Sequence, residues 1–394
     1  MHRSHLPLFT SAFLTLATVA GTARPTLQQG ADAGDMLVYF GTYTSGASQG
    51  IYLSRMNRGT GELSPPVLAG ESVNPSFLAM HPTRDFLYAV NEIDKFEGKA
   101  TGSVSAFAID RTTGLLTALN RQPSAGTGPA HIEADPSGRH VLVANYGGGS
   151  VAVLPLGDDG SLKPPSSVIQ HVGSSVNPQR QKSPHAHAIT LDPSGRFAYV
   201  PDLGIDKVMI YGFDRDRGGL AAAKHPFAPL KPGAGPRHIA IHPSGRFAYV
   251  INELHCTISV YERNETDGAL DERQTITTLP PGQALQAGYS TAEIEVHPSG
   301  RFVYGSNRGH DSIAVFAIDQ QQGGMLTPVE VEPTQGRTPR SFGIDPSGTF
   351  LLAANQRSDS VVVFRIDPAT GALTPTGTAI EVPSPVSVKF LARE

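Results

Sequence analysis

Histidine, arginine and carboxylate residues recur in short polar segments along this 394-residue chain. Some follow prolines, as in Pro184-His185-Ala186-His187 and Pro236-Arg237-His238, and others follow apolar runs, as in Asn252-Glu253 and Asn307-Arg308. Brought together, they would form the polar lining that a small-molecule site needs. Charged side chains at a narrow channel lose hydration unless they are paired or liganded. A purely structural salt-bridge network is therefore the alternative interpretation.

The polar segments hold fixed places in a phrase that the chain repeats about every 50 residues, a period typical of repeat architectures. Each copy has an apolar run, a turn of the His/Asp-Pro-Ser-Gly-Arg type and a second apolar run. Proline pre-sets φ in such a turn and glycine tolerates positive φ. We expect the first residue of each turn to hydrogen-bond its own turn. The six turns begin at His81, Asp135, Asp192, His242, His297 and Asp345.

The repeat unit divides into four strands with no helical period between them. In the copy that starts at Gly235 the strands read HIAIH, FAYVIN, TISVYER and ERQTITTL. Four antiparallel strands in roughly 40–50 residues are typical of a propeller blade. The sequence therefore predicts an all-β fold, a seven-bladed β-propeller with four antiparallel strands per blade.

Six blades carry the turn phrase, and the seventh is divided between the chain ends. LVYFGTYT from Leu37, GIYLSRM from Gly50 and the run after Gly61 resemble the second, third and fourth strands of a blade. The missing first strand resembles Ser384–Phe390. We expect this C-terminal strand to join the N-terminal blade as its innermost strand, which closes the ring and protects its edge.

In an antiparallel blade the start of the first strand and the end of the second lie at the same end of the sheet. Because the first strand is innermost, the polar segments should ring one mouth of the central channel, with the turns at the other. The asparagines that end the second strands should cap backbone groups between blades. The candidate site residues are Glu92, His131, Tyr146, His185, His187, Asp202, Arg237, His238, Glu253, Glu293, Arg308 and Arg340.

The N-terminus has the pattern of an export signal. A basic start precedes an apolar stretch from Leu6 to Ala20, followed by small residues. We predict a signal peptide over 1–23, a flexible lead-in over 24–35 and the propeller over 36–394, with a periplasmic or secreted product that is free of the membrane after cleavage. The alternatives are an uncleaved anchor and a misassigned start, and without a true signal the protein would be cytoplasmic.

Bulk composition limits the classes of partner and cofactor that the protein is expected to bind. The net charge is −4 with no basic block, which argues against nucleic acid. Cys256 is the single cysteine, so no internal disulfide is possible. A closed ring has no edge for a partner to cover, so we expect a monomer. On a strand, His185 and His187 would point to one face as a metal pair does, but no cysteine or dense carboxylate cluster accompanies them. We therefore expect no metal and no other cofactor.

Several of these segments resemble the seven-bladed propeller lactonases, a family that holds bacterial 6-phosphogluconolactonases and fungal 3-carboxy-cis,cis-muconate lactonizing enzymes. The resemblance covers about Leu37 to Phe390 and is carried by segments such as SPHAHAITLDPSGRFAYVPDLG, GPRHIAIHPSGRFAYVINEL and SNRGHDSI. It implies a carboxylic ester hydrolase that opens a sugar lactone at the channel mouth. The implied catalytic residues are His185, Arg237, Glu253 and Arg308.

In this interpretation His185 is a base that activates water, and Glu253 either orients it or is itself the base. Arg237 and Arg308 would hold the oxyanion and an anionic substituent. The other candidates would contact substrate: Glu92, His131, Tyr146, His187, Asp202, His238, Glu293 and Arg340. Two alternatives remain open, a cycloisomerase acting on a carboxymuconate-type dicarboxylate and a non-catalytic exported propeller that binds a ligand or protein.

Overall fold

The computed structural model describes residues 1–2 and 35–392, which fold into seven four-stranded antiparallel sheets. Within these residues the only helical segment is a short 3-10 turn, Gln356–Ser358. The predicted seven-bladed β-propeller is confirmed. The predicted signal peptide, 1–23, and lead-in, 24–35, lie outside the described residues apart from residues 1, 2 and 35.

Each blade is built of four strands that follow one another in the chain, except in blade 1. Blade 1 contains β1 (Asp35–Thr42), β2 (Gly50–Asn57) and β3 (Val67–Glu71). Blade 2 contains β4 (Leu78–Met80), β5 (Phe86–Asn91), β6 (Ser103–Ile109) and β7 (Leu116–Pro123). Blade 3 contains β8 (Pro129–Ala134), β9 (His140–Asn145), β10 (Ser150–Pro155) and β11 (Ser167–Gln170). Blade 4 contains β12 (Thr190–Leu191), β13 (Phe197–Asp202), β14 (Lys207–Asp214) and β15 (Gly219–Pro229).

The last three blades and the closing strand repeat this order. Blade 5 contains β16 (Pro236–Ile241), β17 (Phe247–Asn252), β18 (Thr257–Arg263) and β19 (Leu270–Thr277). Blade 6 contains β20 (Ser290–Val296), β21 (Phe302–Arg308), β22 (Ser312–Asp319) and β23 (Met325–Pro333). Blade 7 contains β24 (Pro339–Ile344), β25 (Phe350–Asn355), β26 (Ser360–Ile366) and β27 (Leu373–Glu381), and β28 (Pro385–Ala392) follows it.

Ring closure occurs as predicted, by addition of the C-terminal strand to the N-terminal blade. β28 pairs antiparallel with β1, so that Phe40 faces Val388 and Tyr39 faces Lys389. The order of blade 1 is therefore β28-β1-β2-β3, with the last strand of the chain innermost. The ring is held shut by backbone hydrogen bonds between the two ends of the sequence.

The core is divided among the seven junctions between blades. Each junction contains one hydrophobic cluster from two neighbouring sheets, such as the cluster of Val38, Phe40, Leu352 and Val363 between blades 1 and 7. Burial of this apolar surface is the main force that holds neighbouring blades together. A repeated tyrosine reinforces it: the hydroxyl of Tyr249, for example, donates to the carbonyl of Gly324 in the next blade.

The turn rim of the channel, formed by the Pro-Ser-Gly turns, is built from repeated hydrogen bonds. His242 Nδ1 lies 2.7 Å from Ser244 Oγ in its own turn, and its Nε2 lies 2.8 Å from the Gly300 carbonyl in the next blade. His297 repeats both contacts with Ser299 and Gly348. The prediction that these residues bond their own turn is confirmed, and the histidines also join adjacent blades.

The opposite rim, which we call the mouth, is shaped by β-bulges at the starts of innermost strands. Opposite β17, Pro236 pairs with Asn252 and His238 pairs with Ile251, so Arg237 is the extra residue. Arg340 is the extra residue opposite β25. A bulge re-aims a side chain and interrupts pairing locally. The bulges therefore place these two arginines at the mouth.

Blade 4 departs from this pattern. Its innermost strand is only Thr190–Leu191, and Ala186 makes an isolated bridge to Asp202. His187 N–H donates to the Pro201 carbonyl, but proline has no N–H with which to complete the ladder. The expectation that His185 and His187 lie on a continuous strand is therefore wrong, because this proline interrupts the pairing, although both rings contact the Tyr146 ring.

Candidate active site at the channel mouth

The mouth is organised around the buried carboxylate of Glu253, which three arginines contact. Arg308 Nη2 lies 2.9 Å and Arg237 Nε lies 3.3 Å from Oε2, and Arg180 Nη2 lies 2.6 Å from Oε1. Glu253 follows β17, while Arg308 ends β21 and Arg237 occupies the bulge at the start of β16. Three of the four catalytic candidates therefore meet at one carboxylate.

The charges of this cluster support one another. Burial alone would raise the pKa of Glu253, but Arg308, Arg237 and Arg180 outweigh it and lower that pKa to about 2. Burial and the nearby Arg340 and Arg308 lower the pKa of Arg237 to about 9, which still leaves it charged at neutral pH. Glu253 is therefore a permanent counter-ion. An ionised carboxylate with three cationic partners is a weak proton acceptor, which argues against Glu253 as the base.

A cavity of about 290 Å³ opens beside the cluster. Arginine and glutamate side chains dominate its wall, together with two aromatic rings. Its lining residues are Glu92, Ala130, Tyr146, Arg180, His187, Glu253, Ser290, Arg308 and Arg340. Its size and convergent polar groups are those of a site for a small polar ligand.

Two nitrogen atoms at the cavity are buried without a hydrogen-bond partner among the described residues, namely His187 Nδ1 and Arg308 Nε. Buried polar atoms are nearly always satisfied in folded proteins, and exceptions at a cavity point to a missing ligand or water. Both belong to residues of the cavity wall. These two nitrogen atoms are therefore able to hydrogen-bond to a ligand in the cavity.

The two histidines of the His185-Ala186-His187 segment differ in their placement. His187 lines the cavity and is 4 % exposed; burial and the nearby Arg237 and His238 lower its pKa well below the ordinary value, so it is neutral at pH 7. His185 stacks on the Tyr146 ring at 4.6 Å, and its Nδ1 lies 2.9 Å from the Tyr146 carbonyl. Since that carbonyl only accepts, Nδ1 carries the proton of neutral His185 and Nε2 keeps its lone pair.

Other predicted residues lie beneath the cavity. His238 Nδ1 donates to Glu293 Oε1 at 2.6 Å, and the His131 and His238 rings are 5.4 Å apart. A second, much smaller cavity of about 10 Å³, room for about one water molecule, is bordered by Arg237, His238 and Glu293. His131, His238 and Glu293 therefore support the floor of the site and do not line the larger cavity.

Asp202 is placed behind the site. Its carboxylate is fully buried, with Oδ2 2.6 Å from His171 Nδ1 and Oδ1 accepting from the backbone N–H groups of His185 and Gly204. The predicted substrate contact is not supported, because both oxygens are already used. Asp202 instead fixes the backbone from which His185 projects.

Glu92 and Arg340 are joined through a residue that the sequence did not single out. The Tyr43 hydroxyl donates to Glu92 Oε2 at 2.8 Å and accepts from Arg340 Nη2 at 2.9 Å. Tyr43 follows β1. The pairing holds Arg340 in the cavity wall opposite the Glu253 cluster.

Arg180 was missed because it lies in no repeat. It belongs to the connection over residues 171–189, where the fully buried Gln181 anchors the segment by donating to the Leu203 carbonyl. Arg180 Nη2 also donates to the Tyr146 hydroxyl at 3.2 Å, and the side chain is 40 % exposed. The unusual length of this connection was the one available signal.

Deeper in the channel, two further glutamates on innermost strands accept backbone N–H groups from the next blade. Glu133 Oε1 accepts from Leu191 and Glu295 Oε2 accepts from Ile344. Burial raises the pKa of each to about 7, although Lys389 opposes this. These carboxyls titrate in the physiological range.

Two features are absent from residues 1–2 and 35–392. No group of three or more His, Cys, Asp or Glu side chains is arranged to hold a metal ion. The same residues contain no helix with the length and apolarity needed to cross a bilayer.

The fold and the site define a class: a closed seven-bladed propeller with an arginine-rich cavity at one mouth of its channel, suited to a small polar ligand. The chain belongs to the lactonase family of seven-bladed β-propellers, whose family model matches residues 37–390. The resemblance noted in the sequence is thereby confirmed. The chain is a lactonase, which is a carboxylic ester hydrolase.

Individual relatives agree with this assignment. The chain is 40% identical over 353 residues to a 6-phosphogluconolactonase of Bacillus subtilis, covering 90% of this chain and 97% of the relative. It is 34% identical to a 6-phosphogluconolactonase of Formosa agariphila, covering 74% and 81%. A periplasmic gluconolactonase of Pseudomonas aeruginosa superposes with a TM-score of 0.85 at 35% identity, covering 91% of this chain and all of that structure.

Proposed function

We propose that this lactonase opens a sugar lactone of the 6-phosphogluconolactone type in the mouth cavity. The observation that carries the proposal is the cavity wall itself, in which the arginines around Glu253 and a neutral histidine converge on about 290 Å³. The relatives named for 6-phosphogluconolactone and gluconolactone support a sugar lactone as substrate.

Lactone hydrolysis needs stabilisation of the oxyanion that forms when water attacks the ring carbonyl. Arg308 and Arg180 line the cavity and donate to Glu253 while presenting charge to a bound carbonyl. Guanidinium groups held in advance by a buried counter-ion stabilise developing negative charge without reorganisation. Arg237 lies in the floor, 3 % exposed, and donates to the Ala292 carbonyl. Its role is to hold Glu253 in place and to raise the positive potential.

The attacking water needs a base that is neutral at working pH. His187 meets this requirement in the cavity wall, and His185 is the second candidate with its Nε2 lone pair free. In our mechanism the imidazole of His187 takes a proton from water as the water oxygen bonds to the carbonyl carbon. The ring C–O bond then breaks, and the imidazolium returns the proton to the leaving oxygen.

The charge at the cavity favours an anionic lactone. Arg180, Arg308 and Arg340 face Glu92 and Glu253 across the cavity, and Arg237 lies directly behind. Glu293 borders the small cavity beside Arg237, so four cations against three carboxylates leave a positive potential, which attracts a phosphate or carboxylate substituent. The half-exposed Arg180 is the best placed of them to meet that substituent at the entrance.

A substrate panel on purified protein tests the proposal. Turnover of 6-phosphogluconolactone, gluconolactone and a carboxymuconate is followed against a no-enzyme control, since lactones also hydrolyse spontaneously. We expect the phosphorylated lactone to be opened fastest. Conversion of the carboxymuconate alone would favour the cycloisomerase, and turnover of none would favour the non-catalytic binding propeller.

We further propose that the protein is exported and works as a monomer with the propeller over 36–394. The basic start and apolar stretch of the N-terminus support export, and the similarity to a periplasmic gluconolactonase is compatible with it. Cell fractionation with N-terminal sequencing of the mature chain tests export, and light scattering tests the oligomeric state. Finding the protein in the cytoplasm with residues 1–23 still attached would refute export.

A further inference from the structure

At four junctions an asparagine that ends a second strand ties its blade to the preceding connection. The side-chain Nδ2 donates to a backbone carbonyl just after the outermost strand of the previous blade. The pairs are Asn91 with Val73, Asn145 with Ser124, Asn307 with Thr278 and Asn355 with Thr334. Between blades 3 and 4 the equivalent contact is made by Asp202 and His171.

The junction between blades 4 and 5 lacks this contact. Nδ2 of Asn252 donates within its own blade, to Thr257 Oγ1 at 3.0 Å and Ser259 Oγ at 3.1 Å. Its Oδ1 is buried and has no hydrogen-bond partner among residues 35–392, which is also true of Asn145 and Asn355, and Asn252 in addition lines a cavity. The connection is instead held by Asp206, which accepts from the N–H groups of Gly233 and Gly235 at 2.7 Å. Asn252 is therefore not needed to join the blades.

A cavity of about 240 Å³ occupies the place of the missing contact. Asn252, Thr257, Ser259 and Thr275 give it a polar floor, and Lys231 and Leu285 stand at its edge. None of its lining residues lines the mouth cavity. It is a separate pocket, and we call it the blade 4–5 pocket.

We propose that the blade 4–5 pocket binds a neutral, hydroxyl-rich small molecule of about the size of one monosaccharide. The Thr257 hydroxyl accepts from Asn252 and keeps its proton to donate, and the hydroxyls of Ser259 and Thr275 keep acceptor capacity. The unused Oδ1 of Asn252 is a further acceptor that a ligand hydroxyl would satisfy. The exposed side chain of Leu285 offers an apolar contact for the C–H face of a ring. The volume lies just below the range typical of drug-sized ligands.

The charges around the pocket argue for a neutral ligand over an anionic one. Lys231 is the one cation in the wall, and Glu272 lies close by, accepting from Thr275 Oγ1 at 2.7 Å. The buried Asp206 adds a second negative charge behind the connection. The arginine-rich mouth has the opposite balance, so the two cavities should prefer different ligands.

The probe is D-glucose, with binding measured by saturation-transfer NMR and located by crystal soaking. Thr275→Trp places an indole over the pocket from an exposed position, and Thr327→Trp makes the same change on the outermost strand of blade 6 as a control. Arg308→Ala changes the mouth cavity and leaves the blade 4–5 pocket intact, so it distinguishes glucose binding at the two sites. We expect Thr275→Trp to weaken glucose binding at least tenfold, with no change for Thr327→Trp or Arg308→Ala.

Lactonase turnover should stay unchanged in Thr275→Trp. Unchanged turnover would also show that this variant is folded. If it does not fold, Leu285→Ala serves instead, with an expected loss of a few-fold in affinity. Wild-type protein that gives no saturation transfer, binding lost in Arg308→Ala, or soaked glucose seen only at the mouth would each overturn the proposal. These results would leave the lactonase assignment standing.

Discussion

Two arginines at the ends of one strand show how the two rims of the ring differ. Arg301 precedes β21 at the turn rim, where it is exposed and donates to the carbonyls of Pro368 and Ala369 in the next blade. Arg308 ends the same strand at the mouth, nearly buried, and contacts Glu253 and the Thr291 carbonyl. One strand thus carries a structural arginine and one that we propose to be functional, about 23 Å apart by strand rise.

The turn rim repeats its contacts from blade to blade, whereas the mouth varies among the blades. At the turn rim His81, His242 and His297 each reach a carbonyl of the next blade's turn, so each adds similar stabilisation at its junction. At the mouth the blades supply different combinations of residues, and the set combines into one charged cluster. Repetition therefore indicates stability in this fold, and departure from it indicates chemistry.

Deleting the closing strand should have the largest effect, since it affects both rims at once. A chain that stops at Val382 loses β28, so blade 1 loses its innermost strand and the ring its hydrogen-bonded closure. We expect loss of cooperative unfolding and of activity, measured by circular dichroism on heating. Truncation after Ala392 is the control and should behave as wild type; a stable, active shortened ring would contradict the closure.

Replacing His187 by alanine tests the mouth most strongly among point changes. Removal of a general base typically lowers turnover by about 10²–10⁴-fold. We expect a loss in that range for His187→Ala, with a smaller one for His185→Ala. Because the pKa of His187 lies well below its ordinary value, the activity of wild type should fall only on acidification well below pH 6.5, and this fall should disappear only in His187→Ala. Turnover and its pH profile are the measurements. The reverse order would make His185 the base.

Arg308→Ala and Arg301→Ala sharpen the comparison within one strand. Losing an oxyanion donor typically costs about 10²–10³-fold in turnover. We expect that loss for Arg308→Ala, while Arg301→Ala keeps wild-type turnover and melts slightly lower. Steady-state kinetics and thermal melting on both variants give the answer. Equal turnover in the two variants would remove the functional distinction between the rims.

His242→Ala tests the turn rim for stability alone. Both ring nitrogens are hydrogen-bonded, and the change removes the link to the Gly300 carbonyl, which still accepts from Gln320 Nε2. A hydrogen bond lost without an unsatisfied partner costs about 0.5–1.5 kcal/mol. We expect the free energy of unfolding in urea to fall by that amount with turnover per folded molecule retained. A large loss of turnover would show that the turn rim also serves the reaction.

The two channel glutamates predict a modest pH dependence of the protein's stability. Burial raises the pKa of Glu133 and Glu295 to about 7, above the ordinary value of about 4.3. Their contribution to stability is therefore complete below about pH 4 and is lost as the pH rises through 7. Glu295→Gln should reduce the fall in melting temperature between pH 5 and pH 8, whereas the exposed Glu381→Gln should not. An unchanged slope in Glu295→Gln would show that this carboxyl does not titrate there.

The fold was predictable because the repeat specifies it locally. Each turn carries its own Pro and Gly, each strand its own alternation, and the odd strand at Ser384–Phe390 had one possible place in a ring. The relation between Arg237, Glu253 and Arg308 was predictable for the same reason, since equivalent positions in blades converge.

Other parts of the site depend on features that break the repeat. The bulges that place Arg237 and Arg340 at the mouth are set by pairing register. Pro201 disturbs the strand that should have carried His185 and His187. Arg180 comes from a connection outside any blade. The distance between two facing side chains depends on such details, so the sequence could name the participants but not separate the cavity wall from its floor.

A crystal structure with bound 6-phosphogluconate tests the central claim most directly, because the product of the proposed reaction should occupy the site of its formation. We predict that it lies in the mouth cavity, within hydrogen-bonding distance of Arg308 and Arg180 and beside His187. Product bound at the turn rim, in the blade 4–5 pocket alone or on the outer wall would contradict the proposed active site.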